Sequence, residues 1–176
     1  MSIRLSVSEL REEIFALIYS EKKPEQAILK LNRIIKETPE RSDAIALKAY
    51  ALNKLANSLH DWKYTENALE QAERALALNP DDDVALTSKG WALIDLGRAQ
   101  EAISALERAT KVNPKNEYSW YNLAWAQYLK GDPTASTGSI KKALQINPGN
   151  VIIRHGKEMM EKGLIPSHLK KTRKGL

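Results

Sequence analysis

The sequence has no cysteine, only eight glycines and seven prolines, a single phenylalanine, and no apolar run near the length of about 18 residues that a membrane-crossing helix needs. Each shortage removes a class of protein. Without cysteine there is no disulfide framework, cysteine metal site or thiol nucleophile. Glycine and proline this sparse rule out a collagen-like chain. At the N-terminus, Glu9, Arg11, Glu12 and Glu13 come too early for a signal peptide, and we read the protein as cytoplasmic, with no membrane insertion. What is present is a 176-residue chain with 43% apolar and 28% charged residues, enough to bury one core.

The net charge of +5 belongs to one end. From Lys162 onward there are five basic residues (Lys162, Lys170, Lys171, Arg173, Lys174) and no acids, so the preceding 161 residues hold equal numbers of each sign. A neutral body does not present a basic nucleic-acid-binding face.

The body repeats. Asn79-Pro80, Asn113-Pro114 and Asn147-Pro148 recur every 34 residues, and Thr38-Pro39 precedes the first of them by 34 plus seven. Counting places from Ser8, Ser42, Asp83 and Glu117, place 20 holds Ala27, Ala68, Ala102 and Ser136. Place 27 holds Ile34, Ala75, Ala109 and Ala143, and place 8 includes Ala49, Gly90 and Ala124. Small residues at these places mark where two antiparallel helices touch. Within the third repeat, Leu86, Gly90, Leu93 and Ile94 form one helical stripe, Gly97 stops it, and Ala102, Leu106 and Ala109 form a second. Each repeat is thus a helical hairpin that can bury its apolar side only against its neighbours.

These residues resemble the tetratricopeptide repeat family, whose pattern is Trp-x2-Leu-Gly-x2-Tyr, then Ala-x3-Phe, then Pro. The fourth repeat supplies Trp120, Leu123, Ala124, Ser136, Ile140 and Pro148, and the third supplies Leu86, Gly90, Leu93, Ala102, Leu106 and Pro114. Lys48 and Lys89 replace the Leu, Gln127 replaces the Tyr, and Arg11 stands where the first repeat's Trp is expected. The resemblance implies an all-α, right-handed α-solenoid of four hairpins with a C-terminal capping helix. Its divisions are an N-terminal lead 1–7, a repeat domain 8–161 (repeats 8–41, 42–82, 83–116 and 117–150, cap 151–161) and a basic tail 162–176. The seven extra residues fall within 57–64. We expect them to lengthen both helices, with Trp62 and Tyr64 packing between the longer helices or, alternatively, forming a partner-contact ridge with His60.

The resemblance also implies a concave groove, lined by the first helices, that binds an extended peptide or a partner helix. Places 2, 5, 9, 12 and 13 should face it. Place 9 reads Ala16, Tyr50, Trp91, Trp125; place 5 ends in Tyr121, place 2 in Tyr118, and place 12 runs from Tyr19 to Tyr128. Seven of the eleven aromatic residues are in these rows, a composition suited to binding hot spots. The charges there, Glu9, Glu12, Asp43, Lys54 and Asp95, lean acidic, so the ligand should be apolar or cationic. The candidate peptide-binding residues are Tyr50, Trp91, Trp125, Tyr118, Tyr121, Tyr128, Asn122 and Asp95. The competing reading is that Trp91 and Trp125 pack between adjacent first helices. The family's carboxylate clamp is missing: its cationic and amide places hold Glu12, Ala16, Leu47, Val84 and Ser88, or, one repeat on, Ala46, Tyr50, Ser88, Tyr118 and Asn122.

Other chemistry is not supported. His60, His155 and His168 are solitary, so the reading is noncatalytic, with no metal and no cofactor. Asp81, Asp82 and Asp83 directly precede a helix and read as caps, as does Asp132 before Pro133. Thr134, Ser136, Thr137, Gly138 and Ser139 make a poor helix former. The function expected is an interaction module (adaptor, scaffold or co-chaperone-like), monomeric or weakly homo-oligomeric. Three readings of the tail stay open: a solvated end, a salt-sensitive contact with nucleic acid or anionic surfaces, and docking into the groove of its own or a neighbouring chain as a self-associating scaffold.

Overall fold

The computed structural model describes residues 5–166. Among these are nine α-helices and no strands: α1 (Val7–Phe15), prolonged by a π-helical turn (Ala16–Ser20), then α2 (Pro24–Glu37), α3 (Ser42–Leu59), α4 (Trp62–Leu78), α5 (Asp83–Asp95), α6 (Ala99–Val112), α7 (Glu117–Lys130), α8 (Pro133–Ile146) and α9 (Val151–Glu161). The protein is an all-α repeat solenoid.

The Asn-Pro signals work by a local mechanism. Asn79, Asn113 and Asn147 cap α4, α6 and α8. The Asn79 and Asn113 side chains then accept from the backbone N–H two residues on, at 3.3 and 3.2 Å, and turn the chain back. Asp82, Asn116 and Asn150 each accept a first-turn amide of the next helix, at 2.9, 3.1 and 3.0 Å. Inside the hairpins, Lys22, His60, Gly97 and Gly131 all take a positive φ after the first helix, the left-handed stop that favours glycine.

The seven additional residues are divided between both helices of the second repeat. α3 has 18 residues and α4 has 17, where α7 and α8 have 14 each, and only His60 and Asp61 connect the longer pair. The packing expected of Trp62 does not occur: its side chain is 68% exposed beside an exposed Leu59, because as the first residue of α4 it projects from the tip beyond the reach of α3.

The chain forms two compact units, Met1–Ser88 and Lys89–Leu176. Leu10, Ile14, Leu31, Ile45 and Leu47 centre the N-terminal unit; Leu93, Leu106, Ala124, Ile140, Ala143 and Ile153 centre the other. The first repeat differs from the second and fourth at two places that those repeats bury. At places 6 and 23, where the second repeat buries Leu47 and Gln71 and the fourth buries Asn122 and Ser139, the first carries the ion pair Glu13–Lys30. The last helix is likewise charged on one side. α9 packs Ile153, Gly156 and Met160 towards α7 and α8, but shows Arg154, Glu158 and Glu161 to solvent. In α5 the same places (4, 8 and 11) are Leu86, Gly90 and Leu93, all buried, and Gly90 lies against Leu106 of α6. Charge at these places gives both the first repeat and α9 a polar outer side. α9 then ends at Gly163 (φ 69°), with the Leu164 N–H donating to the Met159 carbonyl at 2.8 Å.

Two glycine-to-alanine changes test this packing with opposite signs. A Cβ on Gly90 would overlap the Leu106 side chain, itself fully buried, whereas one on Gly138 would meet nothing within 4 Å. Gly90→Ala should cost about 1–3 kcal/mol by overpacking, and Gly138→Ala should add about 1 kcal/mol of helix propensity. Urea denaturation of each variant reads both.

Candidate functional site

In the N-terminal unit the π turn, closed by the Glu21 N–H donating to the Ala16 carbonyl at 3.0 Å, carries Tyr19 against α3. Phe15, Tyr19 and Tyr50 pack as a triad, with ring centroids 5.2 to 6.4 Å apart, and the two tyrosine hydroxyls are hydrogen-bonded. The Lys54 ammonium lies 4.6 Å from the centre of the Tyr19 ring, and burial lowers its pKa. Two of the three acids expected to colour this face, Glu9 and Asp43, are engaged locally, and Glu12 is exposed. Glu9 accepts from the backbone N–H and hydroxyl of Ser6 at 2.8 Å, completing a capping box, and Asp43 is paired with Arg41 at 3.1 Å. The charge standing against Tyr19 in this unit is an ammonium.

The C-terminal unit differs. On α5, the Trp91 indole N–H donates to the carboxylate of Asp95 one turn later, and burial raises the Asp95 pKa to about 7 against that bond. On α7, Tyr121, Trp125 and Tyr128 form an edge-to-face ladder, with centroids 6.5 and 5.7 Å apart and planes at 88°. Trp125 is hydrogen-bonded to the Tyr121 hydroxyl, which lowers the Tyr121 pKa against a larger upward effect of burial. Tyr118 accepts from the Asn150 side chain at 3.5 Å, and Tyr121 lies across Gly156 of α9.

The expectation that all these rings stand free on an inner wall is corrected at three positions. Tyr50, Trp125 and Asn122 keep only 4%, 5% and 7% of their surface exposed. Alanine or glycine at many core places lets successive helices approach closely, and the residues between them are covered. Trp91, Tyr118, Tyr121, Tyr128 and Asp95 are only partly buried. Sequence reasoning missed Phe15, and it missed Ile152, His155 and Met159 of α9, which are exposed or half-buried. The signal was available: running the 34-residue count past Asn150 puts those three at places 2, 5 and 9.

Among the described residues no helix is long and apolar enough to cross a membrane. The basic residues Lys170, Lys171, Arg173 and Lys174, on which the tail readings rest, lie outside the described residues.

No curated protein matches the sequence significantly. Several solved structures share its fold. The thermophilic tetratricopeptide repeat protein TTC0263 of Thermus thermophilus superposes with a TM-score of 0.72 at 17% identity, over 89% of this chain and 82% of that one. MamA from Desulfovibrio magneticus RS-1 gives 0.60 at 16%, over 98% and 96%. YrrB, described as a tetratricopeptide repeat protein with an unusual peptide-binding site, gives 0.51 at 18%, over 86% and 90%. The family model for the tetratricopeptide repeat matches residues 64–105 and 87–151, which together span half of the chain. With helical hairpins repeating along the chain and a match of that extent, this chain belongs to the tetratricopeptide repeat family.

Proposed function

We propose that the protein is a noncatalytic protein–protein interaction module whose C-terminal unit binds an apolar or cationic peptide, or the apolar face of a partner helix, on the inner sides of α5, α7 and α9. The fold supports an interaction module in general. One observation carries the finer reading: Trp91, Tyr118 and Tyr121 are only partly buried while their polar atoms are bonded, to Asp95, Asn150 and Trp125. Rings whose polar atoms are satisfied offer a ligand mainly apolar area and a π face. Ile152 and Met159 extend that surface on α9. A short peptide covers less than about 1,200 Å² in total, which places the contact among transient ones.

The reading is tested with peptides selected from a random display library on the immobilised full chain. Micromolar binders should emerge, and Tyr118→Ala should weaken them at least about tenfold, as loss of a hot-spot ring does. Because Tyr118 is only partly buried and weakly bonded, its unfolding midpoint should barely move. Peptides indifferent to both Tyr118 and Trp91 would remove the reading.

A further inference from the structure

We infer that the exposed side of α2 joins two copies of this chain about a two-fold axis, with Leu29 of each copy seated in an apolar pocket of the other. All the residues involved belong to the N-terminal unit, apart from the proposed peptide site.

α2 turns Ala27, Leu31 and Ile35 into the core. Another side of the same helix lines an open groove of about 780 Å³ with Leu29, Arg33, Ile34 and Glu37. Leu5, Thr38 and Arg41, past the C-terminal end of α2, belong both to this groove and to a second pocket of about 640 Å³, which Val7, Pro39 and Glu40 also line. The shared wall is held in place, because Arg41 pairs with Asp43 at 3.1 Å and donates to the Leu5 carbonyl at 2.8 Å.

Leu29 is 60% exposed. A single exposed leucine is common on protein surfaces, but this one shares its groove with an apolar pocket beyond the other end of the helix, an arrangement that a two-fold axis makes reciprocal. The charges select the same axis. Arg33 and Glu37, one turn apart and both exposed, have no ion-pair or hydrogen-bond partner among the described residues. When two α2 helices run antiparallel with the axis level with residue 35, Arg33 of each copy meets Glu37 of the other. That axis also sets Leu29, six residues or about 9 Å away along the helix, level with Arg41 of the second copy, where Leu5 is tethered. Lys30, paired with Glu13, comes level with Glu40 of the second copy. A parallel pair would oppose like charges instead. One register therefore matches the leucine, its pocket and both charges.

One helix face buries less than about 1,200 Å² in total, so the association should be weak, in the micromolar range. The test is sedimentation equilibrium of the full chain from about 1 to 500 μM. Wild type should approach twice the monomer mass at the upper end, with a midpoint concentration that Leu29→Glu raises at least about tenfold. Arg33→Glu and Glu37→Arg each set like charges against one another across the axis, so each alone should stay monomeric, and an equal mixture of the two should form a heterodimer. Wild type that stays monomeric at about 500 μM overturns the inference and leaves the groove to another occupant. A dimer indifferent to Leu29→Glu, or charge variants that stay monomeric when mixed, overturns it equally.

Discussion

Trp125→Ala should cost about 3–5 kcal/mol of stability, the range for removing a buried tryptophan. The ring is 5% exposed, meets Tyr121 and Tyr128 edge-on, and is bonded to the Tyr121 hydroxyl, so its loss leaves a cavity and frees two neighbours at once. Trp125→Phe keeps part of the ring contact and should lose less than half as much. Equilibrium urea denaturation measures both. A loss under about 1 kcal/mol for the alanine variant would mean that α7 is not held by this ring, and that place 9 belongs to the binding surface after all.

Asp95→Asn should stabilise the protein above pH 7 and leave it nearly unchanged near pH 4. The folded-state pKa of about 7 lies above the ordinary aspartate value of 3.8, so between the two the folded protein binds the extra proton. Stability from this group is therefore complete below about pH 4, declines as pH rises, and is gone above pH 7. Three pKa units correspond to about 4 kcal/mol, and residual hydration of a partly buried group reduces this to about 2–4 kcal/mol. Denaturation at pH 4.5 and pH 8 reads the difference between wild type and variant, in which the titrations common to both cancel. Parallel curves at the two pH values would show that the carboxyl is ionised in the folded protein at little cost.

Much of the fold was legible because its information is local. The Asn-Pro stops, the aspartate and asparagine caps and the small residues at places 8, 20 and 27 act within one hairpin, and the structure places each where the 34-residue count does. The charged sides of the first repeat and of α9 follow the same logic one step removed. Glu13 with Lys30, and Arg154 with Glu158 and Glu161, are charges at places where internal repeats meet a neighbour, and that is visible only once the repeats are laid over one another.

The candidate face was legible only in part. Sequence determined that aromatic residues gather on the inner sides of the first helices, since a helix of 3.6 residues per turn assigns each place a direction. It did not determine which rings stay open. That depends on how closely successive helices approach, a distance set jointly by alanine and glycine contacts from several elements, and it closes over Tyr50 and Trp125 while sparing Trp91 and Tyr118 in part. Charge was decided at the same level: Glu9 and Asp43 are turned to a cap and to Arg41, while Lys54 and Asp95 remain among rings. Periodicity fixes direction along a single helix, but exposure and ionisation are properties of the space between helices, and only the packed structure defines that space.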